Sequence, residues 1–230
     1  MARTKRDAPE SQDGDVILGA PITITPPDIR TIVFRIIGDA PFVQNRFPEK
    51  AREEMRSKHE AGSTGKKGAA RKQRDFKAEY EQAFHRGPNN EYGFPASGVR
   101  RSLVDVCRLV GFKMTLAKLA IFVRADFFDP RDGTPLVHLR TDPRPFGPEL
   151  IMPVRNATGV ADLRVRPQWG EGWWADLRIR YDAGVFKETD VANLLWRVGQ
   201  QNGLGEGRPN SPRSCGMGWG TFTVEQERAA

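Results

Sequence analysis

Residues 162–181 read DLRVRPQWGEGWWADLRIRY, and apolar residues alternate with arginine at both ends of this stretch. The segments LRVR at 163–166 and LRIRY at 177–181 are predicted to be strands, because successive side chains of a strand point to opposite faces. Each strand would have one apolar face and one arginine face. Between them, WGEG at 169–172 suits a turn, so we predict a hairpin that closes about Glu171.

The arginine face of this hairpin has two interpretations. Its members are Arg164, Arg166, Arg178 and Arg180. In the predicted register Arg164 lies opposite Arg178, a like-charge pair that costs stability. The same register places Asp162 opposite Arg180 and Asp176 opposite Arg166, which favours ion pairing within the sheet. Ion pairing and nucleic-acid binding remain alternatives, and only binding predicts that arginine-to-alanine changes weaken the affinity for polyanions.

A helix and a run of glycines follow these strands. Residues 188–202 are predicted to form a helix with four apolar residues on one face and Gly203 at its C-terminal end. Six glycines then alternate with other residues within 203–207 and 216–220, before a last strand at 221–225. The order strand, strand, helix, glycine-rich loop, strand is half of a ferredoxin-like unit.

The glycine-rich loop also has two interpretations. Gly205 and Gly207, together with Arg208 and Arg213, allow a phosphate backbone to approach main-chain N–H groups closely. A flexible, irregular connection is the alternative. The spacing excludes a dinucleotide-binding loop, which needs G-x-G-x-x-G between a strand and a helix, and GSTGKK at 62–67 lacks the spacing of a P-loop.

The first half of the chain begins with a strand and two helices. TIVFRIIG at 31–38 is β-branched and apolar, as expected of a buried strand. One helix is predicted from Pro48 to about residue 60, and a second begins near residue 69 after a glycine-rich break at 61–68. We predict a protruding helical hairpin with a mobile basic tip. An aromatic stripe on the second helix is expected to dock on the core: Phe76, Tyr80 and Phe84.

A third helix follows Pro95 and has two arginines near its start. Its apolar face includes Cys107, which we expect to lie in the core as a small apolar group. Arg100 and Arg101 lie where the helix dipole disfavours cations unless an anion offsets them. A helix N-terminus with two arginines would form a phosphate site, and two solvated arginines are the alternative.

A further hairpin and the domain boundaries complete the prediction. We expect strands at 119–128 and 134–139 about a turn at 129–133, then a short strand at 149–154. We expect an α+β fold class: a ferredoxin-like antiparallel sheet with helices on one face, a glycine-rich C-terminal loop and a basic helical insertion. The expected divisions are a disordered tail at 1–27, a domain at 28–226 with an insertion at 48–93, and a tail at 227–230.

Charge and composition narrow the partners. The net charge of +7 and the pI of about 9.7 favour polyanions, nucleic acid before acidic membrane surfaces. Ten lysines and arginines stand against four acids between Lys50 and Lys77, and solvated helices are the alternative to a binding surface there. Four of these cations are candidate contacts: Lys66, Lys67, Arg71 and Lys72. Two cysteines argue against a disulfide framework, and no apolar run is long enough to span a membrane.

These features resemble a known family. The amphipathic helix followed by GLGEGR at 203–208 and GMGWGTF at 216–222 resembles the C-terminal glycine-rich loop of the RAMP superfamily. Those are the RRM-like, ferredoxin-fold RNA-binding proteins of CRISPR effector complexes. FPASGVRR at 94–101 is similar to the helix start of their backbone subunits, and the basic insertion is similar in placement to their variable inserts. The resemblance covers most of residues 31–225 and extends to stand-alone RAMP-like proteins of phage or prokaryotic origin.

The resemblance implies a protein that coats single-stranded RNA or DNA along its backbone. It would act as a homo-oligomer or as a subunit of a larger ribonucleoprotein, in the cytoplasm of a prokaryotic or phage-infected cell, with no cofactor and no membrane. The residues implied to contact phosphates are Arg100, Arg101, Arg208 and the loop at 203–220. Trp219 and Trp169 are the tryptophans best placed for base stacking, and Trp196 would mark a subunit contact.

Three other functions remain open. A RAMP-type endoribonuclease would use a histidine as general base, but the sequence context of His59, His85 and His138 favours surface or half-buried positions. We therefore expect no catalytic residue, and no Cys/His cluster has the spacing of a zinc site. A structural protein of a phage or filament would assemble without nucleic acid. An adaptor for an acidic protein would lose that partner to competing DNA or RNA.

Overall fold

A computed structural model of the chain describes residues 24–60, 74–141, 145–155, 161–211 and 216–226. Within these ranges the protein is mixed α+β, with antiparallel sheets and five α-helices. The helices are α1 (Glu49–Glu60), α2 (Phe76–Gln82), α3 (Ala96–Val106), α4 (Met114–Ala120) and α5 (Glu188–Arg197). The strands are β1 (Ile29–Gly38), β2 (Phe42–Val43), β3 (Gly93–Pro95), β4 (Ile121–Val123), β5 (Phe127–Phe128), β6 (Pro135–His138), β7 (Ile151–Arg155), β8 (Ala161–Val165), β9 (Gln168–Trp169), β10 (Trp174–Asp182) and β11 (Phe222–Gln226).

Four strands form the central sheet, in the order β11–β1–β10–β4, and each neighbouring pair is antiparallel. Burial alternates along β10, in which Leu177 and Ile179 are fully buried while Arg178 and Arg180 are exposed. The prediction of one apolar face and one arginine face is therefore confirmed for residues 177–181.

Two helices cover one face of this sheet. In the chain, α3 lies between β1 and β4, and α5 lies between β10 and β11. β1 and β4 are parallel to each other because both are antiparallel to β10, and β10 and β11 are parallel because both are antiparallel to β1. Buried side chains of both helices share one core with Phe34 and Leu177, so both helices lie on the apolar side of the sheet.

Three smaller sheets, β2–β9, β3–β6–β5 and β7–β8, adjoin the central one. The ring of Phe42 in β2 lies between two of them: its centroid lies 5.6 Å from that of Phe94, 5.9 Å from that of Trp169 and 5.0 Å from that of Trp173. Phe94 lies in β3, Trp169 in β9 and Trp173 just before β10, so aromatic contacts join the β2–β9 and β3–β6–β5 sheets to the rest of the core.

The predicted hairpin about Glu171 is wrong. β8 pairs with β7, whereas β10 pairs with β1 and β4. Trp169 and Trp173 are each only 1% exposed, so both ends of the connecting segment are held in the core, and β9 pairs with β2. The cross-strand pairs expected from that hairpin are therefore also wrong: Arg164 with Arg178, Asp162 with Arg180, and Asp176 with Arg166.

The predicted strand at 119–128 is divided between two sheets. Its first residues belong to α4, while β4 joins the central sheet and β5 pairs with β6. The chain passes from one sheet to the other at 124–126. The N–H of Arg124 donates to the carbonyl of Arg178 in β10 (2.9 Å), and the N–H of Asp126 donates to the carbonyl of Leu136 in β6 (2.8 Å). The turn at 129–133 and its return strand are confirmed.

Several other predicted elements within the described ranges are confirmed, but the predicted apolar face at 163–166 is not, because Leu163 is 47% exposed. The strand at 31–38 and the helices at 48–60 and 188–202 are present, the last ending in a π-helical turn, Val198–Asn202. Cys107 is fully buried after α3. Tyr80 and Phe84 are 5% and 1% exposed, so α2 lies against the core and does not protrude.

Several predictions fall on residues outside the described ranges. These are the tail residues 1–23 and 227–230, the glycine-rich break with Lys66, Lys67, Arg71 and Lys72, and the positions of Arg213 and Cys215. Within the ranges that are described, no helix combines the length and apolar character needed to cross a membrane.

Candidate nucleic-acid interface

The face of the central sheet opposite the helices has polar and aromatic side chains near β4. Across this face Thr31 pairs with Arg180, Arg180 with Phe122, and Val33 with Arg178. These positions alternate with the buried ones, so their side chains point away from the helices. Arg178 and Arg180 are exposed and Phe122 is partly exposed. Two predicted binding arginines therefore lie on the open face of the sheet.

Arg100, at the start of α3, reaches the same place from the side. Its Nε donates to the carbonyl of Ile121 (2.9 Å) and its Nη2 donates to that of Lys118. Its Cζ lies 4.5 Å from the centre of the Phe122 ring, and the Cζ of Arg180 lies 4.9 Å from the same centre. One aromatic ring is therefore shared by an arginine of a helix and an arginine of a strand.

A groove beside α3 extends this arrangement. It encloses about 500 Å³ and is lined by Ser97, Arg100, Arg101, Val104, Asp105, Met114 and Lys118. The side chain of Arg101 is 78% exposed, and its Nε lies 3.6 Å from Asp105 on the same helix. We use the name edge track for the cations of this groove and the adjoining residues of the open face. Its members are Arg100, Arg101, Lys118, Phe122, Arg178 and Arg180.

The edge track keeps most of its positive charge. Arg180 contacts the Phe122 ring and forms no ion pair with any residue that the structure describes. Arg100 donates to neutral carbonyls, which orient its guanidinium without neutralising it. Arg178 pairs with Asp126, yet 47% of its side chain is exposed. An ion pair with an exposed arginine is weak, so this one does not prevent Arg178 from contacting a partner.

A second aromatic group lies farther along the open face. The Cζ atoms of Arg35 and Arg140 lie 4.6 and 4.7 Å from the ring centre of Trp174. Arg35 also donates to both carboxylate oxygens of Asp176, at 2.9 and 3.3 Å. Two partly exposed rings, each beside arginines, therefore occupy one face of the sheet.

The other predicted contacts lie in a different region, formed by residues 203–211 and 216–221, which we call the glycine segment. Nη1 of Arg164 lies 3.0 Å from Oε1 of Glu206, and Nε of Arg166 lies 3.0 Å from Oε2 of the same residue. One carboxylate is therefore shared by two arginines. Arg164 and Arg166 form ion pairs within the protein, as one of the two interpretations predicts, but with a different acid from those expected.

Steric contacts and backbone conformation account for the glycines of this segment. All six at 203–207 and 216–220 have φ between 66° and 81°, a region that L-residues with a side chain disfavour. A Cβ at Gly220 would lie 1.8 Å from the carbonyl oxygen of Leu204, and a Cβ at Gly205 would lie 2.5 Å from that of Val43. At Gly218 nothing lies within 4 Å, so only the backbone conformation requires glycine there.

The glycine segment is also hydrogen-bonded to its neighbours. The N–H of Glu206 donates to the carbonyl of Val43 (2.9 Å), and the N–H of Gly220 donates to that of Pro41 (2.7 Å). These two amides are engaged by β2 and by the residue before it, so they are not directed at a phosphate.

Arg208 and Trp219 lie within the same folded segment. Nη1 of Arg208 donates to the carbonyl of Gly205 (3.1 Å). The ring of Trp219 lies where a Cβ of Gly207 would be, at 2.5 Å, and both residues are partly buried. The four predicted contacts Gly205, Gly207, Arg208 and Trp219 therefore contact other residues of the glycine segment.

A buried group of charges lies near the turn at 129–133. Nη2 of Arg46, a residue only 2% exposed, lies 2.9 Å from Asp132, and its Nε lies 3.4 Å from Asp129. Burial alone would raise the pKa of Asp129, but hydrogen bonds from Arg131 hold this pKa below its usual value. Burial lowers the pKa of His85, beside Asp129, to about 4. This group links the residues after β2 to the turn.

The structure therefore divides the predicted contacts into two regions and excludes one further residue. The edge track brings together Arg100, Arg101, Arg178 and Arg180, and the other six described contacts lie at the glycine segment. Trp169 was expected to stack on bases, but it is buried in the core, so that prediction is wrong.

Sequence reasoning also missed Phe122 and Lys118. The alternation in IFVR at 121–124 predicts that Phe122 and Arg124 point to one face of a strand. It does not show that this is the open face of the central sheet, because that depends on the pairing of β4 with β10.

Among the described residues, no group of three His, Cys, Asp or Glu side chains is arranged to hold a metal ion. No family model matches the chain, and a comparison with curated proteins finds no match.

Proposed function

We propose that this protein binds single-stranded RNA or DNA along the edge track. The observation that carries the proposal is the ring of Phe122, which lies 4.5 and 4.9 Å from the guanidinium carbons of Arg100 and Arg180. Neither arginine is neutralised by an acid among the described residues. A nucleic-acid strand presents phosphates beside base faces, and this surface presents cations beside a ring.

The partly exposed rings favour a single strand over a duplex. In a duplex the faces of the bases are stacked on one another, whereas unpaired bases expose faces that aromatic side chains can stack on. Phe122 and Trp174 both lie on the open face of the central sheet. Arginines alone would bind the phosphates of either form, so the rings support the choice of substrate.

The proposal extends to the fold and its family. The units β1–α3–β4 and β10–α5–β11 each connect two parallel strands with a third strand between them, which supports a ferredoxin-like, RRM-like arrangement. Proteins with an RRM fold stack bases on aromatic residues of the open sheet face. Together with the resemblance to the RAMP superfamily, this supports a protein that coats a strand in the cytoplasm, as a homo-oligomer or as part of a ribonucleoprotein.

Fluorescence anisotropy with labelled single-stranded RNA, single-stranded DNA and duplex DNA tests the proposed binding. We expect at least one single-stranded form to bind more tightly than the duplex. Its affinity should fall as salt rises, because each neutralised phosphate releases counterions. Failure to bind any of the three, or an affinity that is constant between about 50 and 200 mM salt, contradicts the proposal.

Single-arginine variants test the place of binding. Arg180→Ala and Arg101→Ala should each weaken binding and lower the slope of log affinity against log salt by about 0.7, the value for one phosphate of a single strand. Arg30→Ala is the matched control, since Arg30 lies in β1 on the face opposite to the track and pairs with Asp28. An equal loss in all three variants would mean that net charge, and not the edge track, determines binding.

A further inference from the structure

The position of Trp174 on the open face of the central sheet is fixed from both sides. On one side Trp174 pairs with Ile37 of β1. On the other side Trp174 and Arg140 exchange two backbone hydrogen bonds of 2.8 Å, in which each N–H donates to the carbonyl of the other residue. The Cζ atoms of Arg35 and Arg140 lie 4.6 and 4.7 Å from the centre of the Trp174 ring. Paired backbone and two neighbouring guanidinium groups therefore hold this ring in place before any partner binds.

Arg140 leaves its positive charge at this ring. Its side chain is exposed, and it forms no ion pair with any residue that the structure describes. Trp174 is partly exposed, so a ring and a cation are both accessible to a partner. Phe122 and Arg180 provide the same combination in the edge track. Trp174 and Arg140 therefore have the chemistry to stack on one base and to contact one phosphate.

The open face between the two rings carries acids as well as arginines. Arg178 pairs with Asp126. Arg35 pairs with Asp176. Each carboxylate weakens the attraction of its arginine for a phosphate, because carboxylate and phosphate carry charges of the same sign. The strongest attraction for a nucleic-acid strand therefore lies at the two rings, at opposite ends of this stretch.

The separation of the two rings determines the length of strand that can reach both. Phe122 lies opposite Arg180, and Trp174 precedes Arg180 by six residues in β10. Six residues of a strand span about 20 Å. Successive nucleotides of a stacked strand are about 3.4 Å apart, so about six of them cover this distance, and fewer are needed if the strand is extended. A dinucleotide reaches only one ring.

We propose that Trp174 and Arg140 form a second nucleotide site, and that a bound single strand runs along β10 from Phe122 to Trp174. This inference rests on the proposed function and adds to it the path and the length of the strand. At each end the ring stacks on a base and the neighbouring arginine contacts a phosphate. Binding at the second site is intramolecular once the first site is occupied, which raises the affinity for any strand that is long enough. One molecule then covers about six nucleotides.

The dependence of affinity on strand length tests the second site. Unlabelled oligonucleotides of two to ten nucleotides compete with a labelled decanucleotide in fluorescence anisotropy, with RNA and DNA measured separately. For the form that binds, affinity should rise about tenfold or more between two and six nucleotides and change little beyond that length. Trp174→Leu should remove most of this rise. Its affinity for a dinucleotide should fall by no more than about twofold, because the site at Phe122 remains.

Two further variants separate the second site from a general loss of fold. Trp196→Leu is the matched control, since Trp196 is 47% exposed and lies in α5, on the other side of the sheet. It should keep the length dependence of the wild type. Arg140→Ala removes an exposed side chain and opens no cavity. For a hexanucleotide it should lower the affinity several-fold and reduce the slope of log affinity against log salt by about 0.7.

The outcomes distinguish this inference from the proposed function. If no oligonucleotide of any length binds, the proposed function fails and the second site fails with it. If a hexanucleotide binds and Phe122→Leu weakens it, while Trp174→Leu or Arg140→Ala leaves its affinity unchanged, binding at the edge track stands and only the second site is wrong. An equal loss in Trp174→Leu and Trp196→Leu also overturns the second site.

Discussion

The edge track and the glycine segment both contain arginines from strands in which apolar residues alternate with arginine. The two regions differ in what these arginines contact. At the glycine segment, Arg164 and Arg166 each lie 3.0 Å from the carboxylate of Glu206. In the edge track, Arg100 and Arg180 lie against the Phe122 ring. A carboxylate neutralises an arginine, whereas a ring or a carbonyl orients it and leaves its charge for a partner. The neighbour supplied by a distant part of the chain, and not the alternation itself, decides what an arginine can do.

The largest effect is expected from a methyl group at Gly220. In Gly220→Ala the new Cβ would lie 1.8 Å from a backbone oxygen at a φ of 70°. Backbone cannot move aside as a flexible side chain can, so we expect a loss of more than about 3 kcal/mol in the free energy of unfolding. Urea denaturation measures this loss.

Gly218→Ala is the matched control for that experiment. Its φ of 76° is equally unfavourable for alanine, but nothing lies within 4 Å of the new Cβ. The expected loss is about 1–2 kcal/mol, from backbone conformation alone. Equal losses at the two positions would contradict the close contact between Gly220 and Leu204.

The second largest effect concerns pH and separates folding from binding. Burial lowers the pKa of His85 from its ordinary value of 6.5 to about 4, so in this range the unfolded chain binds a proton that the folded chain does not. The stability contributed by neutral His85 is fully present above pH 6.5 and is lost as the pH falls to 4, a change of about 3 kcal/mol. A guanidinium group carries its charge throughout this range, so we expect binding of nucleic acid to depend on pH much less than folding does.

Urea denaturation at several pH values between 6.5 and 4 measures this effect, with His85→Asn as the comparison. The variant should lose less stability than the wild type as the pH falls. Identical pH dependence in the two proteins would mean that His85 is not held neutral. Binding measured while the wild type is still folded should be nearly independent of pH; a loss of affinity before unfolding would place a titrating group in the interface.

A smaller effect is expected from Glu206→Gln, which removes the acid shared by Arg164 and Arg166. We expect a loss of about 1–2 kcal/mol in the free energy of unfolding, because the carboxylate is partly buried and accepts two charge-assisted hydrogen bonds. Affinity for single strands should stay equal or rise, since the change removes a negative charge. Weaker binding without a loss of stability would assign the glycine segment a direct part in recognition.

The smallest effect is expected at the ring itself. Phe122→Leu keeps an apolar side chain but removes the stacking surface, and it should weaken binding of single strands by about 1 kcal/mol. Phe128→Leu is the matched control, because Phe128 is 60% exposed and lies in β5, outside the edge track. Anisotropy titrations of both variants should show a loss in the first alone. An equal loss in both would mean that the Phe122 ring has no special place in the interface.

Local patterns in the sequence were sufficient for single elements and insufficient for their partners. The alternation at 177–181 correctly predicts the exposed Arg178 and Arg180. The alternation at 163–166 looks the same, but nothing in it shows that β8 pairs with β7, because two buried tryptophans determine where the intervening chain goes. Pairing depends on packing between segments that are distant in sequence, and a local pattern does not contain that information.

The candidate site was also predictable only in part: the sequence identified some of its residues but not how they come together. Arg100 and Arg101 were identified from their place at a helix start, and Arg180 from its strand. The role of Phe122 depends on the pairing of β4 with β10. The loss of Arg164 from the site depends on Glu206, which is 42 residues away in the chain. The excess of lysine and arginine in the sequence predicts a surface that binds polyanions. The tertiary contacts decide which of these cations are neutralised within the protein and which are left for such a surface.

Arg100 also affects how the protein behaves at high concentration. β4 is the outermost strand of the central sheet, and unpaired backbone groups at a sheet edge promote association between molecules. By donating to the carbonyl of Ile121, Arg100 occupies an acceptor of β4 that a strand of another molecule would otherwise use. Arg100→Ala should therefore aggregate at concentrations at which Arg101→Ala does not, as light scattering would show. The same side chain would then protect the exposed edge from self-association while leaving the edge track open to the proposed nucleic-acid strand.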